Sequence, residues 1–181
     1  MHMATQTKRW TIEETHSLPD DGNKYEVVRG ELFVTPPPSD DHETITARLT
    51  RILDPFVAAN SLGMVYRARA VMRFEGSEVE PDLMVRQPHP RGRRGGWDDA
   101  PTPVLVVEVI SPSTRRRDHE QKRQLYLDAG IPEYWIIDPD AEHVRIVISG
   151  QPDELVNEEM TWAPAGVAEP LRFAIRKLFS D

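Results

Sequence analysis

The chain has 181 residues, no cysteine and a formal net charge of −8. The missing thiols exclude disulfides, thiolate metal sites and cysteine nucleophiles, and the acidic balance argues against a surface that is basic throughout and grips nucleic acid by charge alone. The length is that of one domain, burying about 70 % of its unfolded surface. No apolar run approaches the roughly 18 residues that span a membrane, and the N-terminus lacks a signal-peptide layout, so the expected location is cytoplasmic.

Residues 1–10 carry no pattern and are expected to lack fixed structure; 11–181 read as a single domain. Thr11 is placed to cap a short helix that Pro19 and the Asp20-Asp21-Gly22 turn stop. Tyr25–Val28 and Glu31–Thr35 alternate apolar and polar residues about Arg29-Gly30, the signature of a β-hairpin. After Pro36-Pro37-Pro38, Ser39 or Asp40 opens a long helix whose Ile45, Leu49, Ile52, Leu53 and Phe56 keep helical spacing. His42 precedes Ile45 by three residues and continues that stripe. Met64–Phe74 gives one or two strands, and Asp82–Arg86 another. A loop rich in Pro, Gly and Arg follows from Gln87 to Pro103.

Val104–Ile110 (VLVVEVI) is the clearest strand, and it contains Glu108. A bare carboxylate in such a run costs several kcal/mol unless a metal or a cation compensates it. A basic helix follows, ended by Ala129, Gly130 as a left-handed cap, and Pro132. Glu133–Asp138 and His143–Ile148 pair across Pro139-Asp140, and a last strand or helix falls at Leu171–Phe179. The pattern predicts an α/β fold with a mixed sheet.

Three polar residues stand out by position: Asp82 after a proline at a strand start, Glu108 inside the next strand, and Lys122 on the helix after it. Two carboxylates from adjacent strands suit one hard divalent cation, Mg2+ or Mn2+, which prefers oxygen ligands and keeps several waters. A lysine beside them orients a water and offsets charge in a phosphoryl transition state. The competing reading makes Glu108 a structural acid paired with an arginine. Asp118 and Lys122 are also spaced as an ordinary helical ion pair. Arg91, Arg93 and Arg94 with Arg86 form a basic loop, and Arg115, Arg116 and Arg117 load the helix; they are either phosphate contacts or solvated charge. Tyr126, Tyr134 and Trp135 read as core. Ser111 and Ser113 read as a helix-opening turn, since no histidine is placed to activate them.

The segments YEVVRGEL (25–32), PDLMV (81–85), VLVVEVISPSTRRRDHEQKRQLYLDAGIPEYWIIDPD (104–140) and LF (178–179), with the helix opening at His42, resemble the Uma-type putative restriction endonuclease family, a branch of the PD-(D/E)XK nuclease superfamily. The resemblance implies a restriction endonuclease-like core: a central mixed sheet of four or more strands flanked by helices, with an N-terminal hairpin. It implies DNA as substrate and a divalent metal held by Asp82, Glu108 and the carbonyl of Val109. Ile110 stands where the superfamily pattern has its lysine, so Lys122 is the expected replacement. His42, Glu31 and Asp118 are expected in support, with Glu26 beside Glu31. The alternative is a nuclease fold without hydrolysis, kept for nucleic-acid binding or dimerisation. A homodimer is expected on general grounds alone.

Overall fold

Local signals build most elements where the pattern puts them. Thr11 caps α1 (Ile12–His16) through a capping box with Glu14. The hairpin β1 (Lys24–Val28) and β2 (Glu31–Thr35) turns at Arg29 and Gly30, both with positive φ. Ser39 accepts a hydrogen bond from the His42 amide and starts α2 (Asp40–Ala59). The computed structural model describes residues 8–180, apart from the side chain of Arg93. Residues 1–7 of the segment expected to lack structure lie outside the described residues, whereas 8–10 are tied down: the Trp10 amide donates to the Gly30 carbonyl at 2.9 Å.

The stretch read as one or two strands splits at a turn into β3 (Met64–Arg67) and β4 (Met72–Phe74), followed by β5 (Ser77–Val79) and β6 (Leu83–Arg86). After the long loop comes β7 (Leu105–Val109). The basic helix is one run in three parts: α3 (Arg115–Arg117), a π turn (Asp118–Lys122) and α4 (Arg123–Asp128). The chain closes with β8 (Glu133–Asp138), β9 (His143–Ile148), β10 (Glu154–Val156), β11 (Glu159–Trp162), β12 (Leu171–Ala174) and α5 (Arg176–Phe179). β5, β10 and β11 are three or four residues long, too short to carry a periodic signal.

The central sheet has the order β10-β9-β8-β7-β6-β3. Only β7 and β8 run parallel, joined by the α3–α4 crossover, so the sheet is mixed as expected. A four-stranded sheet, β2-β1-β5-β4, lies to one side of it. The two faces of the central sheet bury different cores. Leu83, Val85, Leu105, Val107 and Val109 pack with α2, α5 and Trp162. Met84, Val106 and Ile110 pack with Val28 and Val79 of the smaller sheet and Leu125 and Tyr126 of α4. Strand alternation puts Asp82, Arg86 and Glu108 on this second face, between the two sheets.

One glycine fixes the β3–β6 edge. Gly63 has φ +104, and a Cβ there would sit 2.2 Å from the Arg86 carbonyl oxygen. Gly63→Ala is therefore expected to cost about 1–3 kcal/mol through strain at this approach. A chemical denaturation midpoint equal to wild type would show that the strands part without cost.

Candidate active site

Antiparallel register sets the site. Leu83 faces Val107 across β6 and β7, so the next pair outward is Asp82 opposite Glu108. Directly opposed side chains on one face have Cβ atoms about 4.5–5.5 Å apart. The Val109 amide donates to Asp82 Oδ2 at 2.8 Å, which locks the carboxylate against the end of β7. His42 Nε2 meets the same oxygen at 3.0 Å from the first turn of α2. Lys24 Nζ lies 3.7 Å from Asp82 Oδ1 and donates to the Glu80 carbonyl at 2.9 Å.

Glu108 is answered by a cation, and the cation is Lys122. Its Nζ lies 2.7 Å from Glu108 Oε1 and 2.7 Å from Glu26 Oε1, and the lysine is fully buried. The Tyr126 hydroxyl, one turn further on, donates to Glu108 Oε1 at 2.8 Å. Glu26 Oε1 also accepts from the Glu80 amide at 2.8 Å, and its Oε2 lies 3.3 Å from Arg117 Nη1. The Asp118–Lys122 pair suggested by helical spacing does not form, because Lys122 turns inward to two carboxylates; Asp118 Oδ1 accepts from Arg117 Nε at 3.3 Å.

The electrostatics follow from burial set against these contacts. Burial pushes the Glu108 carboxyl up to about 7; Lys122 opposes that, and the charges of Asp82 and Asp118 add to it. Burial acts the same way on Asp82 but is outweighed by the His42 hydrogen bond and Lys24, which hold its carboxyl well below the usual range. For His42, desolvation is overcome by Asp82, so its pKa is raised. Burial also opposes ionisation of Glu26, yet Lys122, Lys24 and Arg117 together bring it down to about 2. Lys122 stays charged, since Glu108 and Glu26 outweigh its desolvation.

Glu26 thus contributes stability that is complete above its unfolded value near 4.5 and is lost as pH falls toward about 2. Glu26→Gln is expected to flatten the acid limb: its urea midpoint should change less than that of wild type between about pH 5 and about pH 3. Equal slopes would remove Glu26 from the acid response.

Asp82, Glu108, Val109, His42, Asp118, Lys24 and Glu80 all border one cavity of about 410 Å³, with Pro36–Pro38 and Ser111–Thr114 around it. Glu108 Oε1 takes both donors, and Oε2 has no hydrogen bond among the described residues. Asp82 Oδ1 has only the distant Lys24. These oxygens fit a hard divalent cation, and Val109 borders the same cavity. Among the described residues no three or more His, Asp or Glu side chains are grouped to hold a metal alone. The donor set therefore suits an ion that keeps most of its water.

Other expected site residues fall elsewhere. Lys122 reaches the cluster but does not border the cavity. Glu31 is exposed on β2 and accepts from Gln121 Nε2 at 2.9 Å, along a separate shallow groove. Arg117, by contrast, does border the cavity, with its guanidinium paired to Glu26 and Asp118. Arg115 is paired with Asp138 and Asp140, and Arg116 with Glu120 in an exposed helical pair. Arg91 and Arg94 are exposed in the loop joining β6 to β7, at the opposite ends of those strands from Asp82 and Glu108. The side chain of Arg93 lies outside the described residues. Three members of the cluster were not singled out by sequence: Lys24, Glu80 and Tyr126 as a donor. Lys24 and Glu26 at i, i+2 share a strand face, and Tyr126 follows Lys122 by four residues, which are the signals that point to them.

A family model described as "Putative restriction endonuclease", Uma2, matches residues 12–174. Among solved structures, one described as a putative nuclease belonging to DUF820 from Anabaena variabilis ATCC 29413 is similar, with a TM-score of 0.78 and 22 % identity, covering 94 % of this chain and 98 % of that one. At that identity the likeness is one of fold. No curated protein matches the chain.

Proposed function

The chain belongs to the Uma2 family of putative restriction endonucleases, and from that premise we infer that it is a divalent-metal-dependent endonuclease that hydrolyses phosphodiester bonds in DNA. The observation that carries this reading is the pairing of Asp82 with Glu108 at one cavity, each with an oxygen free of short hydrogen bonds. Mg2+ or Mn2+ is the proposed ion; when bound it supplies Lewis-acid stabilisation of charge developing on the phosphate.

The side chains around that position have separate tasks. The Val109 amide and His42 hold the Asp82 carboxylate in one orientation. Lys122 and Tyr126 fix Glu108 through Oε1 and leave Oε2 toward the cavity. Lys122 therefore acts as a positioning residue, through Glu108. Lys24 is the lysine that borders the cavity, and it is the cation we assign to offsetting negative charge on the substrate. Of the arginines expected at phosphates, Arg116, Arg91 and Arg94 are exposed residues. The described residues contain no helix long and apolar enough to cross a membrane.

The test is cleavage of supercoiled and single-stranded DNA with Mg2+ or Mn2+, wild type against Glu108→Gln. Metal-dependent cleavage lost in the variant supports the reading. DNA binding with no cleavage by either protein supports the alternative, a nonhydrolytic nucleic-acid-binding module.

A further inference from the structure

We propose that the cavity around Arg86 is a second binding site, for a terminal phosphate monoester, at the end of β6 opposite Asp82. This inference does not rest on the hydrolase reading.

Arg86 is only 3 % exposed. Its side chain makes one hydrogen bond among the described residues, from Nη1 to the Gln87 carbonyl at 2.9 Å. Its Nε is buried without any partner. No carboxylate of the described residues lies within ion-pairing distance of it. The other buried cations differ sharply: Lys122 has Glu26 and Glu108, and Arg117 has Glu26 and Asp118. A guanidinium cannot escape by losing its proton, so an unpaired one in the interior is costly unless an anion completes it. The Tyr66 ring, 4.0 Å from Arg86 Cζ, and the Trp97 ring at 6.0 Å hold the group by its faces. Nη1 is already used and Nε is out of reach of solvent, so the free donor edge is the one Nη2 presents, which makes no hydrogen bond among the described residues.

The edge has a space to serve. Arg86 borders a second cavity of about 410 Å³, walled by Met72, Phe74, Trp97 and the 98–103 loop. That size suits a small organic ligand, and the planar donor fork of arginine matches phosphate oxygens. Charges on the rim narrow the choice. Asp98 lies 2.6 Å from Arg73 Nη1, a guanidinium that it shares with Glu78. Glu75 and Asp99 are exposed at the rim and oppose a continuous polyanion lying across it. A compact phosphate carrying one ring, packed against Trp97 and Phe74, fits these constraints better than a strand passing over. Four residues of extended chain separate Arg86 from Asp82, about 13 Å, so this cavity is not an extension of the carboxylate pair. The same phosphate chemistry comes either from a free mononucleotide or from the 5′ end of a nucleic acid.

The test is calorimetric titration of the full chain in a metal-chelating buffer with adenosine 5′-monophosphate, adenosine, inorganic phosphate, and one oligonucleotide with and without a 5′-phosphate. Adenosine 5′-monophosphate is expected to bind and adenosine not to. Preference for the 5′-phosphorylated oligonucleotide over the free nucleotide assigns the nucleic-acid source, and the reverse assigns the mononucleotide. Arg86→Met is expected to weaken phosphate-ester binding about tenfold or more while melting no lower than wild type, since it removes an unpaired buried charge. Trp97→Ala keeps the guanidinium and removes a wall, and it should weaken the monophosphate more than inorganic phosphate. No binding to wild type, or binding unchanged in both variants, overturns the proposal and leaves Arg86 as a cation held by aromatic faces alone.

Discussion

Lys122→Met is expected to destabilise the protein by about 3–5 kcal/mol, because it takes the shared cation from two buried carboxylates and leaves Glu108 with no ion pair. Glu26 and Glu108 are 0 % and 1 % exposed, and each places an oxygen 2.7 Å from the Lys122 ammonium. Glu26 does not border the cavity and is not positioned to regain water when the lysine goes. For a chain of this length the loss corresponds to a fall in melting temperature of about 6–20 °C. Glu26→Gln removes one of the two carboxylate charges in advance. In that background the same lysine substitution should cost less than in wild type, giving a coupling of about 0.5–3 kcal/mol. Strictly additive costs would mean that the two side chains do not depend on each other. That would contradict the contact that binds β1 to the crossover helix.

The second large effect is on cleavage. Asp82→Asn and Glu108→Gln are each expected to lower the rate by about 10²–10³-fold or more, the scale found when one preorganised electrostatic group is removed. Both substitutions keep shape and hydrogen-bonding capacity, so folding should survive. The Asn carbonyl still accepts from the Val109 amide, and the Gln carbonyl from Lys122 and Tyr126. A second readout separates chemistry from binding. Mn2+ should raise the melting temperature of wild type by mass action and do so much less in either variant. Lys24→Met should lower cleavage and leave the Mn2+ response in place. If Glu108→Gln cleaves as wild type does, the carboxylate pair is structural and the reaction lies elsewhere.

The continuous apolar run along residues 104–110 was enough to put Glu108 in a buried strand and to ask what compensates it. Asp82 was legible for a related reason: a proline and a strand start place it at a sheet end. The caps at Thr11, Ser39 and Gly130 were equally local. Each of these depends on residues a few positions apart, whose geometry the backbone repeats.

Sequence alone determined the longer elements, their order, and the acid that needed a partner. Only the tertiary structure decided the partners. Lys122 reads as the mate of Asp118 by helical spacing, yet it bonds to Glu26, 96 positions away in the chain, because the smaller sheet packs over the central one. The same packing removes Arg117 from the surface and leaves Arg86 without an acid. Ion pairing between distant segments is set by which faces are pressed together and how much water they exclude. Neither quantity is written in the spacing of residues along one strand or helix.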